Sequence, residues 1–396
     1  MTYLTNAIAH GIGNSTVSSQ WYNRPDDQKF LSIDEMLTYK KADAKSLTSR
    51  IVDTHRLNII GTPDEKNPSR GSITVEYDDE NGRENMNTPT NWSFNQLSQL
   101  AGAPSGYLRN LPAELAADNL MWGLRYNRGK ELIKTYGGNA AGSDLRAATG
   151  PDYGRIFDHE IIEPIKNLVD DSNGRWKVAG QMTGMKDGLA VYDPEVPVTL
   201  ATTTLFASDR DVFIFLVDDR NPIEVGKLAN GEPDLMFRGF YAWNSETGSK
   251  TAGIAAMYLR GVCMNRNLWG VENFHEIKIK HTKFAPDRFA QEARPALQSF
   301  ANGSTAQFVQ GVADAKAAII AKDDDDRLDF LTRRGGLSQT LAKAAAARHI
   351  KEEGRPVSSV WDAVQAITAI ARDIPHQDDR IALEKKGGAL LDKVTA

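Results

Sequence analysis

The middle of the chain carries the clearest alternation of apolar and polar positions. Short β-branched or aromatic runs are separated there by turn-forming residues, which predicts β-strands at residues 176–180, 188–192, 196–200 and 211–218. The run at 211–218 is apolar throughout its centre, so we expect a central strand that is buried on both faces. Residues 275–281 alternate strictly, which predicts a strand with Ile277 and Ile279 on one face and Lys278 and Lys280 on the other.

Helical patterns precede these strands. Residues 92–129 are predicted to be helical. Ser93 and Gln96 fit a capping box, Gly102 fits a C-terminal cap, and Pro112 fits the start of a longer helix.

Helical patterns also follow the strands. Residues 251–262 place apolar side chains at helical spacing and are predicted to form a helix. From residue 286 onward the chain is predicted to be helical throughout, and Ser359 with Asp362 fits a capping box.

The order of these patterns predicts an α+β fold. We expect a mixed, mainly antiparallel sheet with flanking helices, followed by an all-helical C-terminal region. The predicted divisions are a loosely structured N-terminal arm at 1–90, a mixed α/β core domain at 91–290 and a helical domain at 291–396. Turn-rich stretches at 61–71 and 78–82 are the basis for the arm.

Composition narrows the class of protein. The 396 residues have a net charge of −5 and no run of eighteen apolar residues, and the first residues lack the pattern of a secretory signal. Cys263 is the only cysteine, which excludes an intrachain disulfide and a multi-cysteine metal site. These features predict an intracellular protein without a membrane segment.

One segment departs from this acidic background. Residues 237–289 contain nine aromatic residues, and eight Lys or Arg stand against four Asp or Glu, a local charge of +4. Lysines that contact phosphates beside rings that stack on bases are what single-strand binding without base specificity requires. The candidate phosphate contacts are Lys278, Lys280, Lys283 and Arg266, the candidate stacking rings are Trp243 and Trp269, and weaker candidates are Arg146 and Tyr153. An alternative stays open, in which the rings fill the core and the lysines solvate an edge strand.

Other constellations suggest further chemistry. Asp209, Asp211 and Asp218 flank the predicted central strand, where carboxylates can hold Mg²⁺ or simply form turns. Residues 93–112 resemble a helix-turn-helix, although a helical hairpin packed on the core fits them better. The glycine-rich stretch at 137–142 lacks the Lys-Ser/Thr of a phosphate-binding loop, and no nucleotide cofactor is predicted.

Several segments together resemble one family. RGFYAWNSETG at 238–248, CMNRNLWG at 263–270 and HEIKIKH at 275–281 look like the phage/plasmid-like proteins of the domain of unknown function 932 family. QLSQLAG at 96–102, YLRNLP at 107–112 and LRAAT at 145–149 with Tyr153 fit the same pattern, so the resemblance covers about residues 92–289. The resemblance implies a mobile genetic element and the cytoplasm of a bacterial host, and it supplies no catalytic residue.

These observations favour a phage-encoded protein that binds single-stranded DNA as a homo-oligomer, in recombination or annealing. No catalytic residue, metal or cofactor is predicted, and a binding role is favoured over an enzymatic one. Two alternatives remain: a structural or protein-interaction factor, such as an assembly component or an inhibitor of a host system, and a metal-dependent nucleic-acid enzyme acting through Asp209, Asp211 and Asp218.

Overall fold

The computed structural model describes most of the chain. The described residues are 24–78, 84–126, 131–140, 142–178, 184–186, 189–191, 197–228, 231–260, 266–267, 276–374 and 377–395.

The first part of the chain forms a sheet with helices against it. Its elements are α1 Ile33–Lys45, β1 Leu47–Asp53, β2 Asn58–Asp64, β3 Asn67–Asp78, β4 Glu84–Pro89, α2 Asn91–Ala101, α3 Ser105–Leu108, α4 Ala113–Tyr126, β5 Leu132–Gly138 and β6 Ser143–Thr149. Among the described residues this is a six-stranded sheet in the order β1-β5-β6-β4-β3-β2, in which β4 and β6 are parallel and the other neighbours antiparallel.

This architecture corrects the expectation of a loosely structured segment at 1–90 for the residues described there. The turn-rich stretch at 61–71 lies where β2 and β3 meet, and their pairing buries Ile59, Ile73 and Val75. The turn-forming residues at 61–71 therefore indicated a β-hairpin and not a loose arm. The polar residues between two strands form the turn of the hairpin, while every second residue of each strand is buried.

Helices α2 and α4 cover this sheet. Leu97 of α2 and Leu120 of α4 are fully buried in the same core as Ile73. Gly102 caps α2 with φ of 71°, as predicted, but the N-cap is Thr90, whose side chain accepts a hydrogen bond from the Ser93 N–H. The predicted capping box of Ser93 and Gln96 is thus wrong, because the N-cap of α2 lies three positions earlier than predicted.

The second part of the chain forms an antiparallel sheet. Its elements are α5 Asp158–Asp171, β7 Trp176–Val178, β8 Gly184–Lys186, β9 Leu189–Val191, β10 Leu205–Ala207, β11 Val212–Asp218, β12 Ile223–Lys227, β13 Pro233–Asn244, β14 Ala252–Arg260, β15 Arg266–Asn267 and β16 Glu276–Ile279. In the described ranges this sheet has eight strands, in the order β10-β11-β13-β14-β15, with β7 beside β11, β12 beside β13 and β16 beside β14. Strands β8 and β9 form a separate hairpin.

Two local predictions in this region are wrong. Residues 251–262 were predicted to be a helix, whereas β14 occupies Ala252–Arg260 and is buried at every position. A continuous apolar run fits a buried strand and a buried helix equally well, and pairing with β13, β15 and β16 decided for the strand. The described residues 197–200 of the run at 196–200 are not a strand.

The predicted central strand is confirmed. β11 is buried at all seven positions and lies between β10 and β7 on one side and β13 on the other. One face of this sheet, with Ile214, Ala242 and Ile254, packs into the largest hydrophobic core together with residues of α5 and α6.

The rest of the chain is helical, as predicted. Its helices are α6 Ala285–Asn302, α7 Ala306–Ala317, α8 Asp324–Asp329, α9 Gln339–Glu353, α10 Val360–Ala371 and α11 Gln377–Thr395, and a π-helical turn Phe330–Arg334 follows α8. The capping box of Ser359 and Asp362 opens α10. The side chain of Asp323 accepts from the Asp326 N–H and caps α8, so the acidic run at 323–326 is a helix start.

These elements confirm the α+β fold. The hydrophobic core of the antiparallel sheet continues without a break into α7, α9, α10 and α11, and the division predicted between residues 290 and 291 lies inside α6. No helix in the described ranges is long and apolar enough to span a bilayer.

Candidate nucleic-acid interface

The second face of the eight-stranded sheet is rich in aromatic side chains. It carries the buried residues Phe206, Phe213, Phe215, Val217, Phe237, Tyr241, Trp243, Ala255, Met257 and Leu259, and we call it the aromatic face. The strand register explains this concentration. Phe206, Phe213, Trp243, Gly253 and Lys278 oppose one another across β10, β11, β13, β14 and β16, so the row ends on a lysine at the edge of the sheet.

Gly253 gives the row its shape. A Cβ atom at this glycine would lie 2.2 Å from Trp243 Cζ2, so the indole occupies the space that a side chain on β14 would fill. Trp243 also stacks on Tyr241, with ring centroids 5.4 Å apart. The indole therefore lies flat in the sheet surface and only 8% of the residue is exposed.

A groove opens at the end of this row. It has a volume of about 330 Å³ and is lined by Phe213, Tyr241, Trp243, Lys250, Thr251, Glu276, Lys278, Ile381, Ala382 and Lys385. We call it the lysine groove. Rings from the aromatic face form one wall, and α11 supplies Ile381, Ala382 and Lys385.

The charge of the lysine groove is positive. Glu276 is its one acidic residue among the described lining residues, and it contacts Lys278 Nζ at 2.7 Å and Lys385 Nζ at 2.8 Å. Burial alone would raise the pKa of Glu276, but the hydrogen bonds from both lysines lower it below its usual value. Because Lys250 adds a third cation, the lining carries a net charge of +2.

The positive charge continues beyond the groove. Lys280 and Lys283 are exposed and have no ion pair with the residues that the structure describes. Phe284 follows directly, just before α6, and is 65% exposed. β16 therefore leads from the groove to two solvated lysines and an exposed ring.

This arrangement changes the assignment of the predicted residues. The lysines 278, 280 and 283 lie on or just after β16, with Ile279 buried on the opposite face, as the alternation predicted. Trp243 does not offer an open ring for base stacking, which corrects its predicted role. Among the described aromatic residues of the segment 237–289, Phe284 is the exposed ring, and its position after Lys283 was the sequence signal for it.

Arg146 and Tyr153 are not placed to contact nucleic acid. Arg146 is largely buried and makes a bidentate ion pair with Asp43, at 2.6 and 2.8 Å. Tyr153 stacks on His281 at a centroid distance of 5.0 Å and donates a hydrogen bond from its hydroxyl to the Ser245 carbonyl. Both are therefore structural residues, which corrects their candidacy.

These two residues adjoin a buried cluster that sequence reasoning missed. We call Lys40, Asp43, Asp158, Glu246 and Arg155 the ionic junction, because it joins α1, α5 and the turn after β13 to the six-stranded sheet. Lys40 Nζ lies 2.9 Å from Asp158 Oδ2 and 3.3 Å from Asp43 Oδ2. Glu246 accepts hydrogen bonds from the Asp158 N–H at 2.7 Å and, on its other oxygen, from the hydroxyl of Tyr136 on β5.

Burial perturbs the protonation of the ionic junction. Burial and the neighbouring Glu246 raise the pKa of Asp158 to about 7. For Lys40, burial acts to lower the pKa, but Asp158, Glu246 and Asp43 together raise it above its ordinary value, so the ammonium stays charged. Glu246 is 88 positions from Asp158 and 110 from Tyr136, so apart from the i,i+3 spacing of Lys40 and Asp43 no local pattern identifies this cluster.

The three aspartates proposed for Mg²⁺ do not converge. Asp211 and Asp218 stand at opposite ends of β11, about 23 Å apart by strand rise. Asp211 is paired with Arg24 at 3.0 Å and Asp218 with Arg175 at 2.6 Å. Within the described residues, no three His, Cys, Asp or Glu side chains are grouped to hold a metal ion.

The segment that resembled a helix-turn-helix is a packed helical hairpin. Its second helix, α3, has only four residues. Arg109 donates hydrogen bonds to Asn91 and Asn95 of α2 and lies over the Phe94 ring. A side chain held in this way is not available to read bases.

Some predicted positions lie outside the described residues. These are Trp269, Cys263 and His275. Arg266 lies on β15, where it pairs with Leu259 of β14.

Comparisons with known proteins add no relative: no protein-family model, curated protein or solved structure matches this chain. The resemblance to the phage/plasmid-like family stays a prediction.

Proposed function

We propose that this protein binds single-stranded nucleic acid along the lysine groove and β16. The observation that carries the proposal is the continuous path from the groove to Lys280, Lys283 and the exposed Phe284. A flexible polyanion follows such a path, because cations contact its backbone while a ring stacks on a base.

The spacing of the lysines favours a strand over a compact ligand. Lys278 and Lys280 lie on the same side of the chain about 7 Å apart by strand rise, and Lys283 lies beyond them. Lys278 is paired with Glu276 in the free protein, so its phosphate contact requires exchange of one partner for another. Lys280 and Lys283 have no such partner among the described residues, and we expect them to contribute most to affinity.

The test is binding of a labelled oligo(dT) by fluorescence anisotropy at several salt concentrations. We expect affinity to fall as salt rises. The slope of log K against log salt is negative. In the triple variant Lys278→Gln/Lys280→Gln/Lys283→Gln its magnitude should decrease by about 2, since each phosphate contact with a single strand contributes about 0.7. Phe284→Ala should weaken binding about fivefold or more, because one base–ring stack contributes about 1–3 kcal/mol.

Lys343→Gln is the matched control. Lys343 is exposed on α9 and has no ion pair within the described ranges. Its loss should leave affinity and salt slope unchanged. Absence of binding at low salt, or an unchanged slope in the triple variant, would show that the proposal is wrong.

A protein-interaction role is the second candidate, and one observation favours it. Trp122 and Tyr126 on α4 pack against each other, with ring centroids 4.4 Å apart and ring planes tilted by 43°, and they are 68% and 65% exposed. Exposed paired rings are typical of contact surfaces, including those of homo-oligomers. If this role is correct, mass photometry should find an oligomer that Trp122→Ala dissociates without changing oligo(dT) affinity. If the parent protein is monomeric, the partner of this surface is not a second copy of the chain.

A further inference from the structure

A second pocket lies far along the sheet from the lysine groove, where the strand ends meet the C-terminal helices. It has a volume of about 320 Å³ and is lined by β12, β13 and β14 on one side and by α7, α9 and α10 on the other. We call it the seam pocket. Its charged and aromatic lining includes Lys227, Asp234, Arg260, Lys316, Arg355 and Trp361.

The charges in the seam pocket are arranged by depth. Asp234 is buried between Arg260, at 2.8 Å, and Lys316, at 3.1 Å. Asp362 is equally buried and is held by Arg355 at 2.6 Å. Asp234 and Asp362 therefore lie at the base of the pocket. The third carboxylate of the lining, Glu353, contacts Arg260 Nη1 at 2.5 Å, so each carboxylate is already paired with a cation.

The most exposed charges are positive, and the one acidic side chain of the lining that reaches solvent, Glu353, keeps 19% of its surface exposed. The side chains of Lys316 and Arg355 keep 30% and 49% of their surface exposed, whereas those of Asp234 and Asp362 keep only 1%. Lys227, at the end of β12, is exposed and has no ion pair in the described part of the chain. An entering ligand meets these cations first, so the opening favours an anion.

Trp361, which lines the pocket, carries a buried donor that lacks an acceptor in the described part of the chain. The indole Nε1–H of Trp361 is buried and has no hydrogen-bond partner among the described residues. Lys316 Nζ lies 5.6 Å from the centroid of the same ring. A buried donor without an acceptor is unfavourable, and an oxygen placed beside this indole would satisfy it.

We propose that the seam pocket binds a small oxyanion, a phosphate or carboxylate compound, through Lys227, Lys316 and Arg355, with one oxygen accepting from the Trp361 indole. The volume is at the lower end of small-molecule sites, which suits a compact anion and not a polymer. This site is separate from the lysine groove and does not depend on the nucleic-acid proposal.

Isothermal titration of the full-length protein in chloride buffer, with inorganic phosphate and with succinate as probes, tests the site. We expect saturable one-to-one binding of at least one probe. Phosphate binding alone identifies a phosphate ligand, and succinate binding alone identifies a carboxylate ligand. Trp361→Phe removes the N–H and keeps a ring, and it should weaken binding about tenfold, which corresponds to about 1.4 kcal/mol.

Two further variants separate this site from other anion contacts. Lys227→Gln changes an exposed side chain and should weaken binding about threefold, even if Trp361→Phe does not fold. The variant Lys278→Gln/Lys280→Gln/Lys283→Gln should bind the small anion as the parent does. The proposal is overturned if neither probe saturates by about 10 mM, tenfold above a 1 mM Kd, or if binding depends on the groove lysines and not on Lys227.

Discussion

Lys40→Met is the substitution that tests the ionic junction most directly. Methionine replaces the aliphatic part of the side chain and removes the ammonium that contacts Asp158 and Asp43. Only 1% of the Lys40 side chain is exposed, so water cannot replace the lost charge. Removing one partner of a buried ion pair costs about 3–5 kcal/mol, and we expect the free energy of unfolding to fall by that amount at neutral pH.

The loss should depend on pH through Asp158. Its folded-state pKa, raised to about 7, exceeds the ordinary value of 3.8, so the folded protein holds this proton more tightly than the unfolded chain does. The contribution of this proton to the free energy of unfolding is fully present below about pH 4 and is lost as pH rises toward 7. Without Lys40 the pKa of Asp158 should rise further, and each additional unit adds about 1.4 kcal/mol to the loss above pH 7. The variant should therefore be closer to the parent in stability at pH 5 than at pH 8.

Urea unfolding followed by circular dichroism at pH 5 and pH 8 measures both effects. Lys41→Met is the matched control on the same helix, because Lys41 pairs with Glu163 where both side chains are exposed. We expect it to change stability by less than about 1 kcal/mol. Adding Asp158→Asn to Lys40→Met should restore part of the stability, since the uncompensated carboxylate is removed. An equal loss at both pH values, or no rescue, would refute this account of the junction.

Three further predictions concern packing and capping. Gly253→Ala places a Cβ against the Trp243 indole and should destabilise by about 1–3 kcal/mol in urea, whereas Gly106→Ala, with no atom within 4 Å, should be neutral or stabilising. Ser359→Ala removes the side-chain cap of α10 and should cost about 1 kcal/mol in thermal or urea unfolding; an unchanged midpoint would show that the cap is dispensable. Although burial acts to raise it, the hydrogen bonds that Asp362 accepts lower its pKa to about 2, so its contribution to stability is present above about pH 4 and lost as pH falls toward 2. The stability gap between the parent and Asp362→Asn should narrow over that interval in acid titrations, and a constant gap would contradict the lowered pKa.

The site was predictable in part. The alternation around Lys278 and Ile279 placed the lysines on the solvent side of a strand, because opposite faces of a strand follow directly from a period of two. The sequence did not distinguish the buried Trp243 from the exposed Phe284, since both are aromatic residues in the same basic segment. Burial of Trp243 depends on Gly253, which opposes it across the sheet.

The fold was predictable where the signal is local. β11 and the capped start of α10 were correct because an apolar run and a Ser359–Asp362 cap are made by neighbouring residues. β14 was wrong because its apolar run suits a helix or a strand, and the choice was made by three partner strands distant in sequence.

The sequence by itself determined the α+β composition, the central strand β11, the helical C-terminal part and the local excess of positive charge. These properties depend on residues within a few positions of one another. Only the tertiary structure decided which rings are exposed, which aspartates are paired with arginine, and that Lys40, Asp158 and Glu246 meet in one buried cluster. Burial and ion pairing are set by contacts between distant segments, and the pattern along any one segment does not contain its partner.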